Sequence, residues 1–70
     1  MSLMIYGKHR EEKNYCGFDV NDNCFVDKLT YASLIPESMK EQAEKIIQEI
    51  KQEYPEHIFQ LGEAWHLPNE

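Results

Sequence analysis

Basic residues are scarce in this chain: 7 Lys and Arg stand against 13 Asp and Glu, a net charge of −6. That shortage argues against a phosphate-binding surface, because nucleic-acid binders concentrate Lys and Arg to displace counterions. It argues against an anionic membrane surface for the same reason. Long apolar runs are lacking too. Nothing approaches the ~18 residues needed to span a bilayer, and no secretory apolar region is visible. The expectation is a cytoplasmic protein with neither nucleic acid nor membrane as partner. Cysteine is limited to Cys16 and Cys24, and in a reducing compartment both are expected as free, buried thiols. With 3 Gly and 3 Pro, the chain has no linker and no low-complexity stretch.

The motifs of catalysis are absent as well. There is no G-x-S-x-G elbow, P-loop or G-x-G-x-x-G turn. The carboxylates fall on solvated stretches, and a general acid would need a desolvated pocket that so short a chain has little room for. We expect no enzyme, no catalytic residue and no cofactor. A calcium loop begins at Asp19-Val20-Asn21-Asp22-Asn23 but fails later: Cys24 stands where the turn requires Gly, and Thr30 where it requires Glu. The segment reads as a hairpin turn. His9, His57 and His66 have no metal-ligand spacing and read as exposed histidines, with a small metal-binding protein the bolder alternative.

What is present is one strongly patterned segment. Between Pro36 and Tyr54, the residues Met39, Ala43, Ile46, Ile47, Ile50 and Tyr54 recur at helical spacing on one stripe. Lys40, Glu41, Glu44, Gln48, Lys51 and Gln52 fill the rest of the circumference. Pro36 opens the helix, or Ser38 caps it with Glu41 three residues on. Pro55 ends it.

The flanks read as strands. Residues 3–9 are short, apolar and partly β-branched, leading into the charged turn Arg10-Glu11-Glu12-Lys13. In the next segment Cys16, Phe18 and Val20 alternate with Tyr15, Gly17 and Asp19, the period of a half-buried strand. Asn21-Asp22-Asn23 turns the chain, and residues 24–29 return it. These three strands form an antiparallel meander. Thr30 to Ile35 connects to the helix, and residues 57–62 make a fourth strand. The order is βββαβ, an α+β domain spanning residues 1–70, with one helix packed on one sheet face. The fourth strand is expected beside the first and parallel to it. Met1-Ser2-Leu3 before Met4 reads as a cloning remnant. Residues 63–70 are expected either to extend the last strand or to form a loose tail anchored by Trp65.

For the cysteines, a two-residue turn puts Cys16 and Cys24 on opposite sides of the hairpin. A three-residue turn puts them on one side but roughly 13 Å apart along the sheet. Neither register meets the ~7 Å Cα limit for a disulfide.

Surface scaling gives roughly 60% of the unfolded surface buried for a chain of this size, marginal for a lone core. One helix covers one sheet face, so the other is expected to carry some of Tyr6, Tyr15, Phe25 and Leu29, depending on register, as leftover apolar surface. Tyr6, Tyr15, Phe25, Tyr31 and Trp65 are the candidate interface residues, either aromatic anchors or simply core. The functional expectation is a protein–protein contact, with a second copy of the chain the favoured partner, through the open face or an edge strand. An acidic decoy of a DNA-handling protein is the alternative, carried by Glu37, Glu41, Glu44, Glu49 and Glu53 on the helix. Lys40, Lys45 and Lys51 interrupt that line.

At Tyr6-Gly7-Lys8, Phe25-Val26, Leu29-Thr30-Tyr31-Ala32-Ser33-Leu34 and Tyr54-Pro55, the chain resembles a group of small proteins of low-GC Gram-positive bacteria and their phages or mobile elements. The resemblance implies a cytoplasmic accessory protein and carries over no functional residues.

Overall fold

The computed structural model describes residues 1–68. Its elements are strands β1 (Ser2–His9), β2 (Cys16–Asp19), β3 (Cys24–Val26), β4 (Ile35–Pro36) and β5 (His57–Glu63), with helix α1 (Lys40–Glu53) between β4 and β5. Short 3-10 turns at Leu29–Tyr31 and Glu37–Met39 precede β4 and α1. The expected α+β plan is present in outline, with one strand more than the sequence suggests.

The sheet is built on β1. Along one edge β5 pairs antiparallel with it, from Leu3 opposite Glu63 to His9 opposite His57. A strand has only one other edge, and two partners divide it. β2 takes Tyr6 and Gly7, opposite Gly17 and Cys16, and β4 takes Ser2 and Leu3, opposite Pro36 and Ile35. Ser2 thus joins the central strand one residue ahead of the expected start at Leu3. β2 peels away from β1 after Phe18 because the chain around Ser33 enters the gap. The Ser33 N–H donates to the Phe18 carbonyl (3.2 Å), and its hydroxyl accepts from the Val20 N–H (2.9 Å).

That short return corrects the expected topology. The last strand does lie beside the first, but antiparallel. A plain link from β3 to the helix would bring the last strand back parallel to β1. β4 adds one more reversal, so the helix and everything after it run the other way.

α1 follows its stripe closely. Ala43, Ile47 and Ile50 are buried and Ile46 and Tyr54 half-buried, whereas Met39 at the opening is exposed. Pro36 is extended and sits just outside the helical segment; Ser38 lies in the 3-10 turn and makes no capping bond. The helix stops at Glu53, ahead of Pro55. The stripe packs on Ile5, Phe18, Ile35 and Phe59, each such burial contributing roughly 1.5–3 kcal/mol. Phe25 stacks on Phe59 and meets Phe18 edge-on, with centroids 5.7 and 5.1 Å apart. Gly7 makes this possible: a Cβ there would sit 2.7 Å from the Phe25 ring and 2.8 Å from Phe59.

The other face is covered as well, against expectation. Met4 and Tyr6 are fully buried beneath Ala64, Leu29 and Ala32. The chain supplies this cover after the elements that the pattern marks. Leu29–Tyr31 crosses β2, where a Cβ on Gly17 would lie 2.8 Å from Ala32. Residues 64–66 fold back over β1.

Candidate functional site

Tyr6 is core and not an interface residue. Its hydroxyl donates to the Glu63 carbonyl and accepts from the His66 N–H (3.1 Å). Burial raises its pKa above the ordinary tyrosine value, the backbone N–H groups of His66 and Trp65 offset part of that, and the Glu63 charge adds to it. These bonds pin residues 64–66, so the tail is held by Tyr6 and the buried Ala64. Trp65 is 54% exposed with φ 68, so its ring is not the anchor. Asn69 and Glu70 lie outside the described residues.

Phe25, the second candidate, belongs to the aromatic cluster on the helix side. Since Tyr6 buries its ring on the opposite face, the five aromatic residues cannot make one surface. Tyr15 is half-buried with the Lys8 ammonium 5.3 Å from its ring centroid. Tyr31 and Trp65 are the exposed members.

The turn after β2 behaves as a turn. The Asp19 carboxylate accepts the Asn21 and Asp22 N–H groups (2.9 and 3.4 Å), and Asn23 takes φ 55. Asp19 opposite Cys24 leaves a four-residue loop, longer than either turn expected. Side chains alternate along a strand, so Cys16 and Cys24 fall on opposite faces. Both are free, Cys16 exposed and Cys24 half-buried, where burial was expected. His9 and His57 are partly buried and pack edge to face at 5.2 Å, beside a recess of about 230 Å³ that also includes Cys16 and Glu12. Among the described residues, the His57 Nδ1 is buried with no hydrogen-bond partner. Among the described residues, no three His, Cys, Asp or Glu side chains come together as a metal site. No described helix is long and apolar enough to cross a membrane.

The feature with clear interaction geometry is the outer edge of β5. Its register to β1 is bracketed by Arg10 N–H donating to the Glu56 carbonyl and Ala64 N–H donating to the Ser2 carbonyl (both 3.0 Å). Antiparallel ladders alternate hydrogen-bonded and non-bonded pairs. The residues Ile58, Gln60 and Gly62 therefore bond to β1, and His57, Phe59, Leu61 and Glu63 turn their backbone groups outward. At the ends some of these are used: the His57 N–H donates to the Tyr54 carbonyl, and the Glu63 carbonyl accepts from His66. In the middle, Phe59 and Leu61 offer their N–H and C=O to an edge with no strand beside it among the described residues.

Such edges are usually blunted by Lys, Pro, a bulge or brevity. β5 has none of these: it runs seven residues in regular register without Lys or Pro. The opposite edge strand, β3, has three residues and leads into Asp27 and Lys28. Beside β5 lies an open groove of about 570 Å³, with Ile47 and Leu61 at its floor and Glu41, Glu44, Lys45 and Gln48 at its rim. The sequence shows the strand but not its free side. Regular pattern without gatekeepers from His57 to Glu63 is the one signal that points there.

Comparison with known proteins returns no matching family model, no matching curated protein and no matching solved structure.

Proposed function

We propose that the protein is a non-catalytic interaction domain whose working surface is the β5 edge, which accepts an extended strand from another polypeptide. The observation that carries this is the unprotected row of backbone donors and acceptors at Phe59 and Leu61, next to a groove with an apolar floor and charged rim. Strand addition draws affinity from main-chain hydrogen bonds and specificity from pockets for alternate side chains, and this edge supplies both. The resemblance to small proteins of Gram-positive bacteria and phages fits an accessory role of this kind. The acidic decoy has less support, because lysines break the negative line on α1.

Two variants test the reading without touching the pairing to β1. Leu61→Pro removes an outward N–H at an edge position where proline is tolerated, and Gln60→Lys places a charge on an exposed edge side chain. Both should abolish partner capture from the native host while a charge reversal at Glu49, on α1 outside the groove, leaves it intact. Unchanged capture by both edge variants would sink the proposal.

A further inference from the structure

We infer that the strand accepted by this edge is β5 of a second copy, paired antiparallel about a two-fold axis at Gln60; this rests on the β5 edge being the working surface. The strand is bounded by Pro55 on one side and by left-handed Trp65 on the other, and its midpoint is Gln60. A pairing centred there overlaps all seven residues, and sliding it by two in either direction shortens the ladder.

The register is self-complementary at each level. Phe59 faces the partner's Leu61, and these are the residues whose N–H and C=O groups point outward, so each such pair exchanges both hydrogen bonds. The remaining outward groups match too: the free His57 carbonyl meets the free N–H of the partner's Glu63. On the helix side, His57 stands opposite the partner's Glu63, a polar pair of compatible sign. On the other side, the 43% exposed Ile58 lies opposite the partner's Gly62, which presents no side chain to obstruct it. Gln60 meets the partner's Gln60, a neutral amide pair at the axis. No like charges oppose one another along the strand, although each chain carries −6 overall. The two sheets become one, with both copies of α1 on the same face and the two grooves beside the join.

The test uses side chains whose change leaves the monomer intact. In a Cys16→Ser, Cys24→Ser background, Gln60→Cys should form a covalent dimer in oxidised glutathione. Opposed residues of a non-bonded pair lie ~4.5 Å apart at Cα, within disulfide range. Ile58→Cys should stay uncrosslinked, because the two copies of position 58 lie about 13 Å apart. By light scattering, Gln60→Lys and Gln60→Glu should each be monomeric alone and should pair when mixed, with circular dichroism like that of the unmodified chain. Dimers that crosslink at position 58, or that ignore both charges at position 60, would overturn the register and the use of this edge. A chain that is monomeric up to hundreds of micromolar, yet loses a foreign partner through Gln60→Lys, would overturn only the second-copy inference and leave the edge reading standing.

Discussion

Tyr6 and Gly7 are neighbours in sequence and do opposite things. Tyr6 fills the space under the tail and, through its hydroxyl, holds the Glu63 carbonyl and the His66 N–H. Removing that hydroxyl with Tyr6→Phe deletes both of these bonds and leaves the Glu63 carbonyl and the His66 N–H only their longer bond to each other (3.3 Å). The expected loss is about 1–2 kcal/mol in urea unfolding, with faster amide exchange at His66. The same side chain sets an alkaline limit. Burial favours the neutral phenol, so the folded pKa lies above the unfolded value of about 10. Its contribution is intact below that unfolded value and is lost as pH rises through the folded one. Stability followed from pH 9 to 12 should fall in the unmodified chain, and less of that fall should remain in Tyr6→Phe. Gly7 matters by absence. Its Cβ would meet two aromatic rings below 3 Å, so Gly7→Ala should cost about 1–3 kcal/mol by overpacking, seen as a lowered urea midpoint.

At the scale of elements, the decisive piece is the return at Ser33 to Pro36. Ser33 bridges the Phe18 carbonyl and the Val20 N–H, and its hydroxyl donates to the Asp19 carboxylate at 3.4 Å. Ser33→Ala removes the side-chain bonds while leaving the backbone one. A loss of about 1 kcal/mol is expected, with raised amide exchange at Val20 and in β4. The helix is held mainly by its stripe, since Met39 at its N-cap makes no side-chain capping bond and its other end is closed by the Tyr54 N–H donating to the Ile50 carbonyl. Ile47→Ala opens the space between α1 and the sheet and should cost about 2–5 kcal/mol. For a domain this small that is a large share of total stability, so calorimetry should find it partly unfolded at 37 °C. A transition unchanged from the parent would contradict the packing described.

For the molecule as a whole, charge and edge oppose each other. Two copies of net charge −6 repel at low salt, and the Debye length falls from about 30 Å at 0.01 M to about 8 Å at physiological ionic strength. Self-association through β5 should therefore tighten several-fold as salt rises over that range, the reverse of an association held by ion pairs. Sedimentation at two salt concentrations reads this directly. Amide exchange gives an independent view. The Phe59 and Leu61 N–H groups should exchange faster than those of Ile58 and Gln60 in dilute protein and become protected as concentration rises.

The sequence by itself determined the local elements, because each is written in a short-range period: the stripe from Ala43 to Ile50, the alternation from Cys16 to Val20, the turn residues at 21–23 and the stop at Pro55. It also held a signal for two-sided burial that one-helix reasoning passed over, since Leu3-Met4-Ile5-Tyr6 is continuous rather than alternating. What only the tertiary structure decided was how those elements face one another. A two-residue strand at Ile35–Pro36 has no periodicity to display, yet it reversed the last strand. The far face was closed by Leu29–Ala32 and by Ala64, segments with no regular pattern whose positions are settled by what they meet across the fold. The free edge of β5 is likewise a property of neighbours. A strand's residues record which faces are buried, but whether its backbone has a partner depends on what lies beside it.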